Sequence, residues 1–142
     1  MPGARRLGFD APHLPPLPQL APLLADAEVA REAGDKAELE EIGVRLAGSV
    51  TTLLSDVRTT PRSISSRDEK RVAQAVHLIE SDAERPISLT ELAEETATSP
   101  FHFLRSFRAI AGMTPYQFLL KTRLHRAAIR LCATDEPVSA VA

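Results

Sequence analysis

Between residues 36 and 57 apolar side chains recur at Leu39, Ile42, Leu46, Val50, Leu53 and Val57. Steps of three and four residues line one face of an α-helix, so this stretch predicts a long amphipathic helix. A shorter helical stretch precedes it, starting near Leu17 to Leu20 and ending at Ala33, and Gly34 with Asp35 makes the turn between them. The pair reads as an antiparallel hairpin, whose thin core requires its apolar stripe to pack on the rest of the chain or on a second copy. Farther on, Val72, Ala75, Val76, Ile79 and Ala83 mark the buried face of a helix that ends at about Asp82, before Pro86. Leu89, Leu92 and Ala93 face inward on a short helix from 89 to about 96. Phe103, Phe107 and Ile110 share the core face of a helix from Pro100 to about Ala111. Phe118, Leu119, Leu124, Ala127, Ala128 and Leu131 are apolar positions of a last helix from Pro115 to roughly Ala133. The predicted fold class is all-α.

Local punctuation supports these boundaries. Six of the eleven prolines fall within the first 22 residues, which excludes regular helix there and makes 1–16 a Pro-rich lead-in. Thr59 to Ser66 is a polar linker, separating the hairpin at 17–58 from a second unit at 67–142. Ser66 with Glu69, and Ser88 with Glu91, have capping-box form. Ala93 is small enough for two helices to cross closely, Ala97 and Thr98 turn the chain, and Ser99 with Pro100 supplies an N-cap and a first helical residue. Thr114 with Pro115 repeats that device, and Gly112 is placed to end the helix between them in a left-handed conformation.

Composition narrows the function classes. No apolar run in the 142 residues approaches the roughly 20 needed to cross a bilayer, and no apolar signal core follows Arg5 and Arg6, so a cytoplasmic, nucleoid-associated location is expected. The single Cys132 has no partner at metal-ligand spacing and reads as a small packed side chain; no metal, cofactor or catalytic constellation is called for. The net charge of −2 conceals a segregation of sign. Glu80, Asp82, Glu84, Glu91, Glu94 and Glu95 are opposed only by Arg85, whereas from Ser99 to Ala133 the charged residues are Arg105, Arg108, Lys121, Arg123, Arg126 and Arg130. Such separation favours a polyanionic partner.

Two short helices joined by a tight turn, the second carrying arginines on an acid-free face, form the pattern of a helix-turn-helix that reads double-stranded DNA. Arg105 has the planar fork that suits guanine O6 and N7, with Phe101 and Leu104 against thymine methyl groups. Ser99, His102, Arg108, Lys121 and Arg123 are the candidate phosphate contacts, His102 alternatively bonding to backbone.

At these residues the chain resembles the AraC/XylS family of bacterial transcription regulators. The likeness is carried by LTELAE from Leu89, by SPFHFLRSFR from Ser99, by GMTPY from Gly112 and by RLHRA from Arg123, and extends from about Asp68 to the end. It implies a DNA-binding domain with two helix-turn-helix motifs joined by a long helix: Pro100 to Arg108 is then the first recognition helix and Pro115 to Ala133 the connector. RNA polymerase is a partner by the same resemblance. Val138 to Ala142 repeats the pattern of Leu89 to Ala93, as though the second motif begins and is cut off. The hairpin resembles, more loosely, the closing helices of the family's effector and dimerisation domain.

A rival reading makes the chain an interaction protein that dimerises through Leu39, Ile42, Leu46, Val50 and Leu53 without binding an operator itself. An enzyme reading with Cys132 as alkyl acceptor, as in related DNA-repair regulators, lacks the Pro-Cys-His-Arg type of signature around that residue.

Overall fold

A computed structural model of the chain describes residues 17–54 and 63–133. A single 3-10 turn (Pro18–Leu20) leads into six helices: α1 (Ala21–Ala33), α2 (Lys36–Leu54), α3 (Ser66–Asp82), α4 (Leu89–Glu95), α5 (Pro100–Ala111) and α6 (Pro115–Ala133). No strand occurs among the described residues, in agreement with the all-α expectation. The Pro-rich lead-in, Val57, the first half of the expected linker and the repeat at Val138 to Ala142 lie outside them.

Gly34 closes α1 at φ 70°, a left-handed conformation that a residue without Cβ adopts without strain. Asp35 then caps α2, its Oδ1 accepting from the N–H groups of Ala37 and Glu38 at 3.1 Å each. These two residues reverse the chain and produce the expected hairpin. Its apolar stripe is used unevenly: Ile42 is buried, Leu39, Leu46 and Val50 are half-buried, and Leu53 is exposed.

The cap of α3 sits one residue earlier than the sequence suggests. Ser65, not Ser66, accepts from the N–H of residue 68, and Asp68, not Glu69, reaches back to the Ser65 N–H. Tertiary contacts select this register, because Asp68 is also held by Arg71 at 3.4 Å and by His102 at 2.9 Å, while Glu69 faces solvent. The hydrogen bonds from His102 and Ser65 hold the Asp68 carboxyl well below the usual carboxylate range. At α4 only half of the expected capping box forms: Ser88 Oγ accepts from the Glu91 N–H at 3.1 Å, but the Glu91 carboxylate turns away to Arg85 at 2.7 Å.

The core lies between α3, α4, α5 and α6, and joins Val72, Ile79, Leu92, Phe103, Phe107 and Leu119. Phe107 is fully buried, its ring centroid 5.7 Å from that of Phe103 and 5.9 Å, edge-on, from that of Phe118. Ala93 is fully buried where α4 crosses α5, as its small size requires. Ile110, expected in this core, is instead 37% exposed, while its neighbour Ala111 in the same turn packs against the core. Leu124, Ile129 and Leu131 leave the distal half of α6 apolar and exposed among the described residues. Cys132 is exposed as well, which corrects the expectation of a packed side chain.

Arg71 ties the helix-turn-helix to α3. Its Nε donates to the Thr96 carbonyl and its Nη2 to the Ala97 carbonyl, both at 3.0 Å, while Gln74 Nε2 donates to the Glu95 carbonyl at 3.1 Å. These bonds hold a turn in which Ala97 takes the left-handed φ of 51°, a conformation costing about 1 kcal/mol for a residue with a Cβ. Arg71→Ala should therefore lower unfolding stability by about 1–3 kcal/mol in urea denaturation, because the turn carbonyls lose their donors. Asp68 adds a pH dependence. Its carboxyl is depressed in the folded state, so its contribution is complete above the ordinary aspartate value and is lost as pH falls toward the folded value. The stability difference between the native chain and Asp68→Asn should stay constant above about pH 5 and shrink below about pH 4, as read from urea titrations across that range.

Candidate nucleic-acid interface

Paired start and stop signals fix α5 in place. Ser99 Oγ accepts the His102 N–H at 3.2 Å, Pro100 occupies the first helical turn, and Gly112 at φ 73° ends the helix with its N–H on the Arg108 carbonyl. The next helix starts with a reciprocal cap: the Thr114 N–H donates to Gln117 Oε1 at 3.0 Å, and the Gln117 N–H to Thr114 Oγ1 at 3.2 Å. Its signal in the sequence is the Thr-x-x-Gln spacing that overlaps the Thr-Pro pair.

Phe101, Leu104, Arg105 and Arg108 follow i, i+3, i+4 and i+7 spacing and share one side of α5, as the sequence predicts. Arg105 and Arg108 are exposed, and the Arg105 guanidinium lies 5.7 Å from the centroid of the Phe101 ring, within cation–π range. Leu104 departs from its expected role. It is only 2% exposed and belongs to the core cluster, against which Val44 of α2 packs, so in this arrangement it cannot touch a base.

The remaining candidates separate. His102 directs Nε2 to the Asp68 carboxylate at 2.9 Å rather than to solvent or a backbone group. Ser99 and Lys121 are exposed. Arg123 is not presented to a phosphate: it donates to the carbonyls of Ala83 at 2.6 Å and Arg85 at 2.9 Å, and Arg126 donates to the Glu80 carbonyl. Both arginines satisfy carbonyls at the C-terminal end of α3, where the helix dipole favours positive charge. Part of the basic character of α6 is thus structural.

Several acidic residues of the hairpin meet this unit, and periodicity gave no sign of them. Glu40 accepts from both the N–H, at 3.1 Å, and the hydroxyl of Thr90. Glu41 accepts from the Tyr116 N–H at 2.9 Å and from the Thr114 hydroxyl. Burial raises the pKa of Glu41, opposed by those two bonds and by the charges of Arg45 and Arg108. The Tyr116 hydroxyl donates to Asp35 Oδ2. Burial and that carboxylate push the tyrosine pKa upward. Burial also works against the Asp35 carboxylate, but the Tyr116 hydroxyl and the Glu38 and Ala37 N–H groups outweigh it and hold its pKa below the ordinary value.

Residues 92–142 match a family model described as a helix-turn-helix domain. The chain is 40% identical over 72 residues to the regulatory protein ada of Salmonella typhimurium, an overlap of 49% of this chain and 19% of that protein. It is 37% identical over 60 residues to the bifunctional transcriptional activator/DNA repair enzyme Ada of Escherichia coli, covering 41% of this chain and 16% of that one. Against the HTH-type transcriptional activator Btr of Bacillus subtilis it is 28% identical over 78 residues, 55% of this chain and 15% of the relative. The chain thus spans less than a fifth of the length of these curated relatives. No solved structure matches it.

Proposed function

We propose that the chain is part of a DNA-binding transcription regulator of AraC type in which the N-terminal turns of α5 read the major groove; the match of residues 92–142 to a helix-turn-helix domain supports this reading. The observation that carries this reading is the pairing of the Arg105 and Phe101 side chains, both accessible to solvent, on a helix capped at both ends. A rigid cap fixes where the guanidinium points, and the aromatic ring beneath it limits its swing, so its fork is oriented before it meets a guanine. Arg108, one turn further along, and Lys121 on α6 supply phosphate contacts, with the Ser99 hydroxyl able to donate to an adjacent phosphate. The division into a hairpin at 17–58 and a DNA-binding unit from 67 onward belongs to the same proposal.

A second reading assigns the hairpin a dimer contact, and it is favoured by the exposure of Leu53 and the partial exposure of Leu39, Leu46 and Val50. Sedimentation combined with a gel shift on one sample separates the two, since a stable dimer without salt-sensitive DNA binding fits the contact reading alone.

Duplexes selected from a randomised pool provide the test of the base-reading face. Arg105→Ala should relax sequence preference and cost about 1–3 kcal/mol on the preferred duplex. Arg108→Ala should weaken all duplexes alike and lower the slope of log K against log salt by about one. Unchanged affinity and selectivity in both variants would refute the assignment of α5 as the reading helix.

A further inference from the structure

The side of α5 assigned to base reading is not free: it faces the hairpin. Phe101, Leu104, Arg105 and Arg108 line one open groove whose opposite wall is made by Leu20, Arg45, Gly48 and Leu53. The closest approach is at Gly48, where the Phe101 ring occupies the space that any Cβ would take. A B-DNA major groove is about 12 Å wide and one α-helix with its side chains measures about 10–12 Å, so the groove admits α5 but not α5 with α2 still against it.

The polar contacts point the same way. Glu41 of α2 bonds the Tyr116 N–H in the first turn of α6 and acts electrostatically on Arg108, while Glu40 bonds Thr90. Unpaired N–H groups in the first turn of a long helix, and arginines beside them, are groups that phosphate oxygens engage. In the folded chain the Glu41 carboxylate holds the Tyr116 N–H and Glu40 ties α2 to α4, while Arg45 shares the groove with Arg105 and Arg108 and the Phe101 ring is seated on Gly48.

We propose that the α1–α2 hairpin is an intramolecular mask that occupies the reading face of α5 and must leave before DNA can enter. The proposal rests on the assignment of α5 as the reading helix. Docked and DNA-bound forms exclude each other, so the apparent affinity for DNA is reduced by the fraction of molecules in which the hairpin is released. Weakening the dock then strengthens DNA binding, the opposite of what loss of a structural contact ordinarily does.

The test uses the full chain and a 30-base-pair duplex with a randomised centre at low salt. Gly48→Leu places a side chain into the Phe101 ring while improving the helix propensity of α2, and Glu40→Gln/Glu41→Gln weakens the carboxylate contacts without adding bulk. Each should bind the duplex at least about tenfold more tightly than the native chain. In the native chain, the duplex should speed amide hydrogen exchange in Lys36–Leu54 as it slows exchange in Pro100–Ala111. Equal binding by all three proteins, with α2 exchange unchanged on adding DNA, overturns the mask and leaves the reading helix standing. No binding by either variant, when exchange shows that α2 is released, overturns the reading helix and the mask with it. If Gly48→Leu loses its circular-dichroism signal, the double glutamine variant decides alone.

Discussion

A helix that presents side chains to DNA has to be anchored along one side only, firmly enough to keep its direction and narrowly enough to leave the other side open. In α5, which we propose to be such a helix, Phe107 provides that anchor. Fully buried in the middle of α5, it joins Phe103 within its own helix to Phe118 of α6, and the α3 and α4 side chains close around these rings. Phe103 and Phe107 are among the largest fully buried side chains, and α3, α4 and α6 are oriented by how their aliphatic residues cover this row.

Asp68 converts that packing into a fixed angle. Its carboxylate caps α3 and takes hydrogen bonds from Arg71 and His102, so one acid links the start of α3, the turn before α5 and the first turn of α5. Arg71 carries the linkage on to the carbonyls of Thr96 and Ala97. Apolar contacts alone resist sliding poorly, because they are non-directional; hydrogen bonds to specific carbonyls set the register. The basic residues of α6 show the same economy, with Arg123 and Arg126 finishing the end of α3 instead of extending a uniformly cationic surface.

The hairpin meets the helix-turn-helix unit through acids and a glycine. Asp35, Glu40 and Glu41 accept from Tyr116, Thr90 and Thr114, and Gly48 receives Phe101. The junction is polar at these bonds and apolar where Val44 packs against the core cluster. Leu104 illustrates the consequence: on the helical wheel it belongs with the reading residues, while in the fold it is buried.

By itself the sequence determined the helices and their ends, because apolar period, Ser-Pro and Thr-Pro starts and the Gly34 and Gly112 stops act within a few residues of one another. It also determined that Phe101, Arg105 and Arg108 share one side of α5, since helical geometry is local. Only the tertiary structure decided that Ser65 rather than Ser66 caps α3, that Glu91 prefers Arg85 to its own helix end, that Arg123 serves a carbonyl, that Ile110 and Cys132 face solvent and that Glu41 is buried. The partners in these cases lie on other elements, often dozens of residues away, and the choice between two acids or two caps depends on distances that no spacing along the chain encodes. The same holds for the proposed reading face: helical geometry places its side chains together, but whether they meet solvent or α2 is settled by how a separate hairpin docks.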